Sequence, residues 1–108
     1  MSDAPLWQVI DPNTGRPLPQ ECAHILDLEP VTPSTLEGCE GCLREGTQWV
    51  HLRECLACGH VGCCENSPRR HASGHWKATD HAVVVSFQPG EDWAWCYADD
   101  CFLMQAEA

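Results

Sequence analysis

Basic residues are scarce in this sequence. Six Lys and Arg stand against sixteen Asp and Glu, a formal net charge of −10 in 108 residues. Nucleic acids and anionic membranes bind through a surplus of cations, so neither is an expected partner. Long apolar runs are missing too: Ala82–Val85 and Trp93–Ala98 fall far short of the roughly 20 residues that span a bilayer. The opening Met1-Ser2-Asp3-Ala4-Pro5 has neither the basic start nor the apolar segment of a secretory leader, so a soluble, cytoplasmic protein is expected. No segment repeats at a fixed period, and there is no low-complexity tract. Core material is also thin. The hydrophobic share of 44% includes nine Cys, and without them it falls to about 36%, little for a self-sufficient core at this size. Something besides apolar burial has to hold the fold.

What the sequence does have is cysteine and histidine, nine and six respectively. In a reducing compartment such cysteines are metal ligands rather than disulfides. Cys39/Cys42 and Cys55/Cys58 are Cys-x-x-Cys pairs, whose two-residue gap lets both thiolates of a tight turn face one ion. Gly41 and Gly59 supply permissive backbone beside them. Cys63, His71, His75 and His81 follow, and mixed thiolate and imidazole donors select zinc over magnesium or calcium, which prefer oxygen. His71 and His75, four residues apart, share one face of a helix. Spacing alone leaves two arrangements open. The two pairs could form one four-cysteine site with the histidines at another, or each pair could cross to a later Cys/His set.

The Pro-rich residues 1–20 suggest an extended arm, residues 21–103 the zinc-bearing domain, and 104–108 a short tail. Gln48–Leu52 is β-prone, Ser67-Pro68 signals a helix start and Arg69 to about Lys77 the main helix. His81–Phe87 and Trp93–Tyr97 read as strands joined by a turn at Pro89-Gly90. Alternation puts Trp93, Trp95 and Tyr97 on one face. The expected fold is α+β: a small twisted antiparallel sheet with one main helix, held by two or three zinc ions.

The ordered run of Cys39-x-x-Cys42, Trp49-Val50, Cys55-Leu-Ala-Cys58, Cys63, His71, Gly74-His75, His81 and Trp95-Cys96-Tyr97 resembles the UBP-type zinc finger of deubiquitinating enzymes and a cytoplasmic histone deacetylase. Cys58-Gly-His-Val-Gly-Cys63-Cys64 and Pro89-Gly-Glu-Asp-Trp93 are similar to its small bacterial branch. The resemblance implies a cross-brace, with Cys39, Cys42, Cys63 and His71 on one zinc and Cys55, Cys58, His75 and His81 on a second. A third family site matches Cys22, His24 and Cys96, with Asp99 where the family has Cys; a carboxylate can ligate zinc. The resemblance also implies a non-catalytic protein-binding module whose pocket takes the C-terminal tail of a protein or peptide. Trp49, Trp95 and Tyr97 match its aromatic positions. Glu65 departs from the pattern, standing where the family carries an Arg that contacts the tail.

Other functions have less behind them. A zinc hydrolase needs an open coordination position and a nearby Glu base, and neither His-Glu-x-x-His nor His-x-Glu occurs. A purely structural or zinc-holding role is the remaining alternative. His51 and His60 are expected outside the ligand sets, Cys64 as the lesser competitor of Cys63, and Cys101 as a buried thiol.

Overall fold

Neighbouring strands of an antiparallel sheet point opposed residues to the same face, and that rule sorts most of this protein's large side chains. The computed structural model describes residues 7–26 and 28–105. Six strands, β1 (Trp7–Val9), β2 (Leu52–Cys55), β3 (Val61–Cys63), β4 (Val83–Ser86), β5 (Ala94–Cys96) and β6 (Cys101–Gln105), form one antiparallel sheet in the order β1-β6-β5-β4-β2-β3. Two helices, α1 (Glu40–Glu45) and α2 (His71–Thr79), complete the α+β architecture.

One row of paired residues crosses the whole sheet: Val9, Leu103, Ala94, Val85, Glu54 and Val61. Five of the six are apolar, and four of them, Val9, Leu103, Ala94 and Val85, build the main core with Trp7, Val83 and Cys96. The segment from Cys22 to Ser34 closes this first face. It packs Cys22, Ile25 and Leu28 into the core, and its far end is pinned where Ser34 N donates to Gly59 O (2.8 Å) and Val61 N donates to Ser34 Oγ (3.0 Å). On the second face Trp95 is flanked by Phe102 and Val84, and α2 lies over β3 so closely that a Cβ on Gly62 would meet the Ala72 backbone at 2.7 Å.

Gly59 is the tightest point. It sits at φ +86°, and a Cβ there would lie 2.0 Å from Thr32 O. Gly59→Ala is therefore expected to lower stability by about 2–3 kcal/mol, combining left-handed strain with a backbone clash. Denaturant unfolding of the zinc-loaded protein measures this, and an unchanged midpoint would contradict the close approach.

Several local expectations are corrected. Part of the supposed arm is a sheet edge: β1 pairs with β6, and Trp7, Val9 and Ile10 are buried. The same pairing carries Met104 and Gln105, placed in the tail, into β6, past the expected domain end at residue 103. Residues 48–51 are not in a strand, and β2 starts at Leu52. Helix α2 begins two residues late because Ser67 does not cap it. Ser67 is buried, with its Oγ accepting from Val50 N (2.8 Å), and Arg70 turns the chain at φ 49°. The first helical N–H, of His71, instead donates to Cys63 Sγ at 3.2 Å, so a candidate zinc ligand serves as the cap. Composition did not signal α1, which is only six residues long and uses Cys39 Sγ as its own cap, accepting from Cys42 N at 3.3 Å.

Candidate metal centres and an aromatic cavity

Three groups of four donors converge among the described residues, with the ligand atoms of each within 4.8 Å of one another: Cys39, Cys42, Cys63 and His71; Cys55, Cys58, His75 and His81; Cys22, His24, Cys96 and Asp99. In the first, His71 Nδ1 lies 3.2, 3.4 and 3.6 Å from the sulfurs of Cys39, Cys42 and Cys63, and Cys42 and Cys63 are 3.9 Å apart. Zinc bonds of about 2.1–2.3 Å at tetrahedral angles separate neighbouring donors by roughly 3.5–3.8 Å, so these spacings fit one ion. The ring's other nitrogen, Nε2, faces Glu45 Oε2 at 3.3 Å, an outer partner that orients the imidazole. Sequence reasoning missed Glu45, because its role depends on α1 and α2 lying side by side.

The second group places His75 Nε2 3.2 Å from Cys58 Sγ. His81 Nδ1 is buried with no hydrogen-bond partner, a gap that a metal bond would close. His60 stacks on His75 at 4.1 Å between centroids, supporting the ligand without joining the set. Burial, then the neighbouring His60 and His81, holds His75 below the usual histidine range, which keeps its imidazole neutral for ligation. In the third group His24 Nδ1 is 2.9 Å from Asp99 Oδ2 and 3.9 Å from Cys22 Sγ. Hydrogen bonding from Cys22, then His24, holds the Asp99 carboxyl below its ordinary range.

The thiols themselves make the case for a cation. Burial pushes Cys39 up to about 12 and Cys55 up to about 11, and it raises Cys22 as well. Clustered, buried sulfurs resist ionisation on their own, and a divalent ion reverses that balance.

A separate cavity of about 330 Å³ opens on the second face. Trp93, Trp95, Tyr97 and Phe102 wall it, and Arg53 and Glu65 bring opposite charges to it. The Arg53 guanidinium lies 4.5 Å over the Trp93 ring, while Tyr97 stacks on Trp76 at 5.2 Å. Burial, then the nearby Glu65 charge, pushes the Tyr97 hydroxyl up to about 12. Cys64 also lines this cavity and lies outside the three donor groups. Burial opposes its ionisation, but hydrogen bonds to Ser67 and the backbone, together with Arg53, outweigh that and lower its pKa.

Residues 39–108 match the family described as the Zn-finger in ubiquitin-hydrolases and other protein. The chain belongs to this UBP-type zinc-finger family. The solution NMR structure of protein RPA1320 from Rhodopseudomonas palustris is similar to it, with 48% sequence identity and a TM-score of 0.71 over 79% of this chain and 82% of that one. With these donor groups, this UBP-type finger is a zinc-binding domain.

Within the finger, the three aromatics of the 93–97 segment share the cavity, as strand alternation required. Trp49 does not join them. Its ring covers Gly38 and the Cys39/Cys42/Cys63 cluster, and it lines a different hollow with Leu36, Val50 and Phe87. The reason is local: residue 49 precedes β2, in the loop that closes over the first donor group. Phe102 and Val84 reach the cavity through cross-strand pairing with Trp95, which sequence order does not reveal.

Proposed function

We propose that this UBP-type finger is a non-catalytic protein-interaction module, held by three zinc ions, that receives the C-terminal tail of a protein or peptide in the cavity of Trp93, Trp95 and Tyr97. The carrying observation is that cavity, with four aromatic walls and one guanidinium at Arg53. Four protein donors in each set favour structural zinc, because catalytic zinc keeps a position free for water. Family membership supports an interaction role, since the residues lining the cavity lie within the stretch that matches a finger named for ubiquitin hydrolases.

Charge at the mouth weakens the usual ligand. A tail carboxylate entering the cavity loses water and needs a cation or N–H partner, and Glu65 presents the same sign as the tail. The unmodified protein is therefore expected to bind a free Gly-Gly-COOH peptide only in the high micromolar range or more weakly. Glu65→Arg is expected to tighten binding about tenfold or more, the worth of one charge-assisted hydrogen bond. Titrating tryptophan fluorescence with the free-acid peptide and its C-terminal amide tests both statements. Tight binding by the unmodified chain, lost on amidation, would show that Arg53 already suffices. No response in either protein would favour the purely zinc-holding reading, with the aromatics serving as core.

A further inference from the structure

One side chain at the aromatic cavity works against a plain carboxylate tail. Arg53 and the exposed Glu65 line that cavity with opposite charges, yet among the described residues no ion pair joins them. Arg53 instead donates from Nη1 to Leu52 O (2.9 Å) and spreads its guanidinium over Trp93. Both charges still reach the same wall. After burial, Glu65 is the larger influence on the Tyr97 hydroxyl and raises its pKa, while Arg53 lowers it. The rings are open to a ligand, since Trp93, Trp95, Tyr97 and Phe102 are each only partly buried.

A glycine tail uses little of this. Its carboxylate meets Arg53, but nothing on it meets Glu65 or covers the rings. A ligand that suits the whole cavity carries a carboxylate for Arg53, a cation for Glu65 and an apolar stem for the aromatic faces. Lysine and arginine side chains have that build, because their methylenes pack on apolar surface while the charged head stays near water. Aromatic faces also attract the head itself, as Arg53 already shows over Trp93. A cavity of about 330 Å³ has room for one such side chain beside its own carboxylate and little more, so both charges belong to the last residue.

We propose that Glu65 is the specificity-determining residue of this cavity and selects a tail whose C-terminal residue is lysine or arginine, its carboxylate on Arg53 and its side-chain cation on Glu65. The assignment rests on the tail-binding reading and names what the tail ends in.

The test titrates the tryptophan fluorescence of the zinc-loaded full chain with acetyl-Gly-Gly-Lys as the free acid. It is expected to bind about tenfold or more tightly than acetyl-Gly-Gly-Gly acid, the worth of one added charge contact and its cation–π attraction. Norleucine in the last position keeps the stem, removes the ammonium and is expected to lose most of that gain. Amidation of the lysine peptide is expected to weaken it by a similar factor. Glu65→Gln is expected to bring the lysine peptide down to the norleucine peptide without weakening the glycine peptide. Glu65→Arg is expected to invert the order, with the glycine acid binding more tightly than the lysine acid, whereas a disturbed fold would weaken both. Equal binding of the lysine and glycine acids, both lost on amidation, would overturn the role of Glu65 and leave tail binding standing. A lysine peptide that binds equally as acid and amide would overturn both, since no carboxylate is then recognised. No saturable response to any of these peptides would also overturn both and leave the aromatics as core.

Discussion

Stripping the metal with an excess of strong chelator is expected to unfold the domain outright. The largest fully buried side chains are Leu103 and Val61 together with Cys39, Cys42, Cys55, Cys63 and Cys96, so five of these seven are thiols. All five belong to the three donor groups. Removing zinc leaves their sulfurs clustered in the interior with nothing between them, and structural zinc contributes folding free energy on the order of 10 kcal/mol or more. That exceeds the whole stability of an ordinary small domain. Acid should act in the same direction. Buried Cys39 and Cys55 hold their protons up to about 12 and about 11 without metal, so zinc binding releases protons, and lowering the pH favours the protonated, metal-free chain. The measurement is the amide proton–nitrogen spectrum with metal analysis on the same sample. A chelated protein that has lost its zinc yet keeps a dispersed spectrum would remove structural metal from the account.

Cys39→Ser is expected to produce the next largest effect, and one confined in space. Cys39 both caps α1 and lies 3.2 Å from the ring of His71, which opens α2. Its loss should release one metal, loosen both helices and cost several kcal/mol, in the range found for removing a metal ligand or buried partner. The third group, centred on Cys22 and Cys96 at the β5–β6 end of the sheet, should be least affected. Cadmium-113 substitution makes the partition visible. Three cadmium resonances are expected, one coupled to Cys39, Cys42 and Cys63, one to Cys55 and Cys58, and one to Cys22 and Cys96. In Cys39→Ser the first should vanish or shift far while the third stays in place. A single cadmium coupled to both Cys39 and Cys55 would establish the four-cysteine arrangement instead.

Much of the chemistry was legible in the chain because metal knuckles are local. Two thiols three residues apart meet in one turn wherever that turn is placed, so Cys39/Cys42 and Cys55/Cys58 announce themselves. The strand around Trp95 was legible for a similar reason: alternation over five residues already puts Trp93, Trp95 and Tyr97 on one side. The edge strand at Trp7 was not. A segment with Pro5, Pro12, Pro17 and Pro19 has no periodicity of its own, and Trp7–Val9 becomes a strand only because β6 offers unpaired backbone groups and the main core offers Trp7 and Val9 a place to bury. The start of α2 was misplaced because Ser67, a good cap by type, was already committed to Val50 N.

The sequence by itself pointed to a divalent metal held mainly by thiolate and imidazole, and to a one-sided aromatic stripe. Each follows from residue type and short-range spacing. Which pair of cysteines meets which histidine was decided only by the tertiary structure, since it depends on β3 bringing Cys63 beside α1 and on α2 crossing that strand at Gly62. The separation of Trp49 from Trp95 and Tyr97 and the presence of Arg53 and Glu65 at one cavity were decided the same way. These residues lie tens of positions apart, and strand register, not sequence spacing, sets which of them share a face.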